Sequence, residues 1–328
     1  MIDPVFAGVI IPVYNDKDNF KICLAALCAQ TYPRDKFEIM IIDDGSTDGL
    51  GEWLESYRKP AGLDIKYFYQ KNKGPSSARN LGIKYSRGDI LAFIDSDCVP
   101  QKDWLEEVLR GYASDNVAGA GGVIEALPTG SKVSRYCAYV KMNRTPKIDP
   151  GGIAYLITGN ASFRRDCLIA AGGFDERFDF PGGEEPDLCY RLKQKGYIFQ
   201  FNHKAVVYNA HKQNLSEFTR TYFNYGKGQS FLMARKMSKW DLVSVSRLKW
   251  PFYFLKMLVK LFFIFIANLK TILRFIKIPF YGLYYYGKGL SIADSFRYAI
   301  YDYLKSVFFV LGCFCGYFIG KFRGFKRT

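Results

Sequence analysis

The sequence has little histidine, and its cysteines lack the spacings that hold metal ions. Only two histidines occur in 328 residues, and none of the eight cysteines forms a C-x-x-C pair or a Cys/His ligand spacing. Most of the cysteines lie in apolar stretches, which is typical of buried, reduced thiols. The pattern therefore excludes zinc modules and dithiol redox motifs as the basis of function.

Acidic residues are scarce in the second part of the chain. Residues 203–328 contain 21 lysines and arginines but only 4 aspartates and glutamates, a net charge of +17, whereas residues 1–202 have a net charge of −2. A strongly basic segment indicates an anionic partner. Because long apolar and aromatic runs surround the basic residues, a membrane surface is favoured and nucleic acid is not.

The chain also lacks an uninterrupted apolar run of the roughly 20 residues that a spanning helix needs. The run 250–269 contains two lysines, and the uncharged run 306–320 has 15 residues. Within the latter, Gly312, Gly316 and Gly320 recur every four residues, a pattern of close helix–helix contact. Interfacial or hairpin-like membrane helices are the favoured interpretation, with a soluble helical subdomain or true spanning helices as alternatives.

No secretory signal is visible in the first residues, which have neither a basic start nor a cleavage site. The expected location is the cytoplasmic face of the cell membrane, with the chain peripheral, monotopic or held by short inserted helices. We predict two domains, a catalytic domain over 1–225 and a helical, basic, membrane-associated region over 226–328.

Apolar runs alternate with segments of helical spacing in the first part of the chain. In order, the prediction is a strand at 5–14, a helix at 18–32, a strand at 37–44, a helix at 50–58, a strand at 64–70, a helix at 75–86 and a strand at 89–97. This alternation predicts an α/β fold with a mostly parallel sheet and helices on both faces. Ligands bind beyond the carboxyl ends of such strands, where the sequence has Asp43–Asp44 and Asp95–Asp97.

Asp95 and Asp97 follow the apolar run Ile90–Ile94 and flank a single residue. Because successive side chains on a strand point in opposite directions, a turn is needed for both to reach one site. Mg²⁺ or Mn²⁺ suits oxygen ligands and often bridges substrate phosphates. The alternative is that both are turn aspartates capping the following helix.

Other polar residues also lie at predicted strand ends or helix starts. Asp44 is suited to accept a hydrogen bond from a nucleobase or a ribose, or to cap a helix. Arg79 and Asn80 follow Gly74 at a helix start, which favours phosphate binding or an ordinary capped helix. The pair Glu184–Glu185 is suited to general-base chemistry, or it complements a helix dipole.

Seven motifs, taken together and in order, resemble glycosyltransferase family 2 over roughly residues 5–225. They are VIIPVYND, IIDDGSTDG, NKGPSSARNLGI, FIDSDCVP, TGNASFRRD, GGFDERF and GGEEPDLCYRL. The resemblance implies a GT-A (Rossmann-like) fold and a nucleotide-sugar donor, with a UDP-sugar favoured. It also implies Mn²⁺ or Mg²⁺, inversion at the sugar, and a glycan or lipid-linked acceptor at the membrane.

The resemblance also implies roles for individual residues. The donor-binding set is Pro12, Tyr14, Asp16, Asp44, Asn72, Gly74, Arg79, Asn80, Asp95 and Ser96. Asp97 is the principal metal ligand, with Asp95 and His211, while Gly159 and Asn160 face the sugar and the acceptor. Glu185 is the general base where the family usually has aspartate, with Glu184 or Asp187 as alternatives.

Several competing functions leave part of the sequence unexplained. A nucleotidyltransferase would have a glycine-rich, arginine-containing loop after its first strand, where this chain reads PVYNDKDNF. A receiver-like domain would not account for GGEEPDLCYRL, and a processive synthase would have several long spanning helices and a Q-x-x-R-W-like motif. Two alternatives stay open, a polyprenyl-phosphate glycosyltransferase and a catalytically inactive membrane-binding relative.

Overall fold

The protein is described by a computed structural model. It describes residues 5–112, 114–127, 131–140, 146–178, 181–209, 214–241 and 278–324. The chain divides into two compact units, one formed by residues up to 180 with 184–211 and the other by 181–183 with residues from 212 onward. The predicted boundary after residue 225 falls inside a helix, Leu215–Asp241, and the domain division stays a prediction.

The first unit alternates strands and helices along most of its length. Its strands are β1 (Ala7–Val13), β2 (Phe37–Asp43), β3 (Asp64–Tyr69), β4 (Ile90–Phe93), β5 (Cys98–Pro100), β6 (Val117–Ala126), β7 (Lys147–Asp149), β8 (Gly152–Tyr155), β9 (Ala161–Arg164) and β10 (Ile198–Asn209). Its helices are α1 (Lys17–Cys28), α2 (Leu50–Ser56), α3 (Pro75–Tyr85), α4 (Trp104–Leu109), α5 (Lys132–Tyr139), α6 (Arg165–Ala171) and α7 (Glu184–Lys193). The predicted α/β class is confirmed.

Within the described residues, eight of these strands form one mixed sheet in the order β3-β2-β1-β4-β9-β6-β10-β5. The pairs β3–β2, β2–β1, β1–β4 and β6–β10 are parallel, whereas β9 runs antiparallel between β4 and β6, and β5 is antiparallel to β10. The carboxyl ends of β1, β2, β4, β6 and β10 therefore lie along one edge of the sheet.

The apolar strands place successive side chains in two separate cores. On β1, Val9 and Ile11 lie in one buried cluster with residues of α1, α2 and α4, while Ile10 lies in the other with residues of α3, α6 and α7. On β2, Ile41 and Ile42 divide in the same way. This alternation explains why the strands read as continuous apolar runs, because both faces of the sheet are covered by helices.

The second unit is helical in its described part. It contains α8 (Leu215–Asp241), α9 (Ile278–Tyr286) and α10 (Ile292–Gly324). Among the residues that the structure describes, one segment, Ile292–Gly316, is long and apolar enough to cross a membrane, with a mean hydropathy of 1.3. The apolar run 306–320 is thus part of a longer helix, while the run 250–269 lies outside the described residues.

Candidate functional site

Residues from three sequence motifs, together with Asn209, lie at the carboxyl edge of the sheet. Asp44 follows β2, Asp95 follows β4 and Asn209 ends β10. Because β9 runs antiparallel, it begins at the same edge, directly after the short 3₁₀ turn Thr158–Asn160. The topology therefore brings together the acidic segments that the sequence placed at strand ends.

Asp95 and Asp97 lie in a tight turn between β4 and β5. The amide of the residue after Asp97 donates to the carbonyl oxygen of Asp95 over 3.1 Å. Asn209 Nδ2 donates to Asp97 Oδ1 over 2.8 Å, and Ser96 Oγ donates to Asp16 Oδ2 over 2.6 Å. The sequence analysis requires a turn here for Asp95 and Asp97 to reach one site. The structure has that turn, and hydrogen bonds from neighbouring segments hold it.

Arg79 links this turn to the acidic pair. Its guanidinium contacts Glu184 Oε1 at 3.1 Å and Asp95 Oδ1 at 3.3 Å, and it lies 5.6 Å from the centre of the Phe174 ring. Arg79 and Glu184 are both buried, whereas 41% of the Asp95 side chain is exposed. Burial of these charges is tolerable because they are paired. The role of Arg79 beside the donor stays a prediction.

Glu185 lies next to this ion-pair network and is held by Thr158. The Thr158 hydroxyl donates to Glu185 Oε1 over 2.9 Å, and the Thr158 amide donates to the same oxygen over 3.3 Å. Burial raises the pKa of Glu185, the charge of Glu184 raises it further, and Arg79 lowers it, giving a pKa of about 7. A carboxyl with this pKa is suited to accept a proton near neutral pH.

Asp187 is engaged in a buried ion pair one turn along α7. Its Oδ2 accepts from Arg191 Nε over 2.8 Å. The same guanidinium donates to the carbonyl oxygens of Ala171 and Gly173, the latter over 2.8 Å. Asp187 therefore holds the GGF turn through Arg191, and its role as an alternative base stays a prediction.

Asn80 and Asn160 both use their side chains on the protein itself. Asn80 Nδ2 donates to the carbonyl oxygen of Phe174, and its Oδ1 accepts from the Phe174 amide, each over 2.8 Å. Asn160 is buried, accepts from Trp104 Nε1 over 2.8 Å and donates to main-chain oxygens of β6 and β10. Their roles toward the donor, sugar and acceptor stay predictions.

Gly159 lies at the acidic turn. A Cβ atom at this position would be 3.1 Å from Asp95 Oδ2, tighter than an ordinary contact. Glycine therefore lets the 3₁₀ turn approach the carboxylate closely. This is the position that the sequence assigned to the sugar-facing side of the site.

Asp44 organises the loop that leads into α3. Its Oδ1 accepts from Gln70 Nε2 over 2.7 Å and from the Lys73 amide over 2.9 Å, and its Oδ2 accepts from the Gly74 amide over 2.8 Å. Asn72 lies within this loop. The carboxylate is buried, so it fixes the loop, and its predicted contact with a nucleobase stays a prediction.

The loop after β1 is anchored to the loop after β2. Asn15 adopts a left-handed conformation with φ of +48°, its amide donates to Ser46 Oγ over 3.0 Å, and its Oδ1 accepts from the Thr47 amide over 2.7 Å. These bonds leave the Tyr14 side chain 53% exposed, directly beyond Pro12 and the end of β1. A ring in this position is available to a ligand at the sheet edge.

Three residues that hold the site were not predicted, namely Asn15, Thr158 and Asn209. Asn15 and Thr158 lie within recognised motifs, directly before Asp16 and Gly159, and Asn209 lies two residues before His211. A polar side chain at the end of a strand, next to an acidic motif, is the signal that would have found them. His211 itself lies outside the described residues.

The ligand set fits a hard divalent cation that is shared with a bound substrate. Asp95 and Asp97 supply carboxylate oxygens, the ligand type that Mg²⁺ and Mn²⁺ prefer. Within the described part of the chain, no group of three or more His, Cys, Asp or Glu side chains is placed to hold a metal. Phosphate oxygens of a donor and water would complete the coordination of such an ion.

The family is established by direct comparison of the sequence. Residues 8–171 match the model of glycosyl transferase family 2, and residues 90–292 match that of glycosyl transferase family group 2. The chain belongs to glycosyltransferase family 2. It is 32% identical over 227 residues to glycosyltransferase AglE of Haloferax volcanii, over 68% of this chain and 73% of that protein.

Two solved structures have the same fold as this family 2 chain. Mannosyltransferase PcManGT from Pyrobaculum calidifontis, in complex with GDP-Man and Mn²⁺, has a TM-score of 0.55 at 20% identity, over 72% of this chain and 65% of that chain. Residues 1–349 of S. aureus TarS, in complex with UDP-GlcNAc, give 0.51 at 18%, over 74% of each chain. These likenesses show a GT-A-like fold. Membership of family 2 shows that the protein is a nucleotide-sugar glycosyltransferase.

Replacing Glu185 by glutamine is expected to remove a pH-dependent loss of stability. Because the pKa is about 7 in the folded protein and ordinarily 4.5, the unfolded chain ionises first, and the native protein loses stability as pH rises through this window. The melting temperature of Glu185→Gln relative to the native protein should therefore rise from about pH 5 to pH 7 and then level off. The same series on Glu55→Gln, an exposed position on α2, is the control, and a pH-independent difference for Glu185→Gln would contradict the raised pKa.

Removing the Arg79 guanidinium is expected to leave Glu184 buried without its cation. Arg79→Met should lower the free energy of unfolding by about 3–5 kcal/mol. Adding Glu184→Gln removes the uncompensated charge, so the double variant should recover part of this loss in denaturant titrations. A double variant that is no more stable than Arg79→Met alone would show that the ion pair is not the source of the effect.

Proposed function

We propose that this protein is an inverting, metal-dependent glycosyltransferase that moves a sugar from a UDP-sugar to a hydroxyl group of a glycan or lipid-linked acceptor. We further propose that it acts at the cytoplasmic face of the membrane. The observation that carries the proposal is the position of Glu185, bound by Thr158 and adjoining the network of Arg79, Glu184 and Asp95. Glu185 as the proton acceptor and the turn of Asp95 and Asp97 as the donor site would then act in one reaction.

The turn that contains Asp95 and Asp97 would bind the diphosphate of the donor. Asp97, with Asp95, would hold Mn²⁺ or Mg²⁺, which when bound supplies charge neutralisation for the leaving diphosphate. The hydrogen bonds from Asn209 to Asp97 and from Arg79 to Asp95 orient both carboxylates before the donor arrives. Such preorganisation is what lets fixed charges favour a developing anion.

Glu185 would take the proton from the acceptor hydroxyl. Because Oε1 already accepts two bonds from Thr158, we assign Oε2 to the acceptor. The proton of the acceptor hydroxyl moves to Glu185, the acceptor oxygen bonds to the anomeric carbon, and the bond from that carbon to the diphosphate oxygen breaks. Attack from the face opposite the leaving group inverts the configuration.

A uridine nucleotide is favoured by Asp44, an acidic residue at the end of β2. Its amide donates to the carbonyl oxygen of Val13, the residue before the exposed Tyr14. Its carboxylate fixes the loop at 70–74 and is suited to the N3–H of uracil. PcManGT was solved with GDP-Man and TarS with UDP-GlcNAc, so the fold alone does not choose the base.

The second unit supports a membrane-bound acceptor. Its helices α9 and α10 expose large apolar side chains at Phe280, Leu283, Tyr284, Tyr286, Ile292, Phe296, Ile300 and Leu311. The surrounding region, residues 203–328, has a net charge of +17. Aromatic and aliphatic side chains among basic residues are the composition that binds anionic membrane surfaces.

Glu185 also separates the proposal from its two alternatives. A polyprenyl phosphate acceptor already has an ionised oxygen and needs no base, whereas a hydroxyl acceptor does. A catalytically inactive relative would bind membranes and turn over no donor. The position of Glu185, held by two hydrogen bonds from Thr158, and its raised pKa together favour a hydroxyl acceptor.

The donor site is tested by the melting temperature of detergent-purified protein with UDP, GDP or dTDP, each with Mn²⁺ or with chelator. A ligand that binds only the folded state raises the melting temperature, so we expect a Mn²⁺-dependent shift with UDP. Asp97→Asn should abolish it, whereas Asp115→Asn, an exposed carboxylate ahead of β6, should retain it. A shift with GDP alone would reassign the nucleotide, and no shift in folded protein would favour the inactive relative.

The base is tested by Glu185→Gln in a transfer assay with a hydroxyl acceptor. Loss of a general base should lower kcat by about 10²- to 10⁴-fold, while the UDP-induced shift in melting temperature stays as in the native protein. If Glu184→Gln alone stops transfer, the base is the neighbouring residue. If Glu185→Gln retains transfer to a polyprenyl phosphate, that acceptor replaces the hydroxyl in the proposal.

A further inference from the structure

Gln70 and Asp44 form a fixed pair directly after the carboxyl ends of β3 and β2. The Gln70 amide donates to the carbonyl oxygen of Asp43 over 2.9 Å, and the Asp44 amide donates to that of Val13 over 2.8 Å. Gln70 Nε2 donates to Asp44 Oδ1 over 2.7 Å. Because main chains and side chains are both bound, the pair presents one arrangement to a ligand at this edge of the sheet.

The hydrogen bonds of Asp44 are unevenly divided between its two oxygens. A carboxylate has about four acceptor positions, two on each oxygen. Oδ1 accepts from Gln70 Nε2 and from the Lys73 amide, whereas Oδ2 accepts from the Gly74 amide. Within the described part of the chain the carboxylate accepts no further bond, so Oδ1 is filled and Oδ2 retains one position.

Gln70 has a second N–H group that this contact does not use. A side-chain amide nitrogen carries two N–H groups, and among the described residues Gln70 Nε2 donates to Asp44 alone. Asp44 is buried and Gln70 is half-buried, so Gln70 is the more accessible of the two. The pair therefore offers a ligand one acceptor at Asp44 Oδ2 and one donor at Gln70 Nε2.

We propose that Gln70 is a specificity-determining residue that favours a uracil base over guanine. Uracil has one donor on its pairing edge, N3–H, with a carbonyl group on each side of it. When N3–H donates to Asp44 Oδ2, the carbonyl on the side of Oδ1 accepts the second N–H of Gln70, whichever way the ring lies. Thymine has the same edge, so the pair does not separate uracil from thymine. The inference rests on the proposed binding of the nucleobase by Asp44.

Guanine fits the same pair less well. It has two donors side by side, N1–H and the 2-amino group, which suit the two oxygens of one carboxylate. At Asp44 the second oxygen, Oδ1, is filled, so guanine cannot use both donors there. In the orientation that places its carbonyl on Gln70, the 2-amino group points away from the carboxylate. Gln70 thus acts on both bases, because it adds a bond to uracil and withholds one from guanine.

Replacing Gln70 by methionine keeps the length of the side chain and removes its N–H groups. The variant loses the bond to the uracil carbonyl and frees one acceptor position on Asp44 Oδ1. A hydrogen bond lost at a binding site costs up to about tenfold in affinity, so the Kd of UDP should rise by about tenfold while that of GDP does not rise. We therefore expect the preference for UDP over GDP to fall by about tenfold or more.

The experiment measures the Kd of UDP and of GDP, each with Mn²⁺, by isothermal titration calorimetry on the detergent-purified full chain. Gln101→Met is the matched control, because Gln101 is half-buried like Gln70 and donates to Tyr208 Oη over 2.7 Å, but directly follows β5. We expect the control to keep the native preference for UDP. An unchanged preference in Gln70→Met, equal weakening of both nucleotides, or the same fall in Gln101→Met would overturn the proposal.

Base analogues test the native protein should Gln70→Met fail to fold. In 2-thio-UDP and 4-thio-UDP one carbonyl oxygen is replaced by sulfur, a weak acceptor, so we expect one of them to bind about tenfold more weakly than UDP. Equal binding of UDP and both analogues overturns the proposal. Failure of the proposed function gives a different result. A native protein that binds GDP alone, or neither nucleotide, rejects the assigned donor, whereas a native preference for UDP that Gln70→Met retains rejects only the role of Gln70.

Discussion

Arg79 places one positive charge between Glu184 and Asp95, in surroundings where Glu184 and Arg79 are almost fully buried. Burying either charge without a partner would cost several kcal/mol, because nothing would offset its loss of hydration. The ion-pair network therefore does two things at once. It makes a buried carboxylate tolerable, and it ties the start of α7 to the turn after β4, so the geometry of one fixes that of the other.

The topology of the sheet supplies the rest of the arrangement. Antiparallel β9 lies between β4 and β6, so the turn Thr158–Asn160 enters the sheet at the edge where the parallel strands end. Thr158 thereby donates a hydrogen bond to Glu185. Asn160 points inward and forms hydrogen bonds with Trp104 and with the neighbouring main chain. One short turn thus binds the proposed base with one side chain and fills the core with another.

Most of the fold could be predicted from the sequence, because buried parallel strands read as apolar runs and their acidic ends mark the edge that binds ligands. What could not be predicted depends on contacts between distant segments. Nothing in the run TGN shows that Asn160 turns inward, and nothing in NLGI shows that Asn80 holds the GGF turn. Motifs give the residues of a site, whereas the partner of each side chain follows from the tertiary structure.

Glu184 and Glu185 are adjacent residues of the same type, but they have different hydrogen-bond and ion-pair partners. Both lie at the start of α7, where the helix dipole alone would stabilise negative charge on either. Arg79 is within hydrogen-bond distance of Glu184, so this carboxylate has a cation. Glu185 accepts hydrogen bonds from the neutral donors of Thr158. Burial and the neighbouring charge of Glu184 raise its pKa to about 7, although Arg79 acts in the opposite direction. Their different partners suit the two carboxyl groups to different tasks, Glu184 as the anion of an ion pair and Glu185 as the proposed proton acceptor.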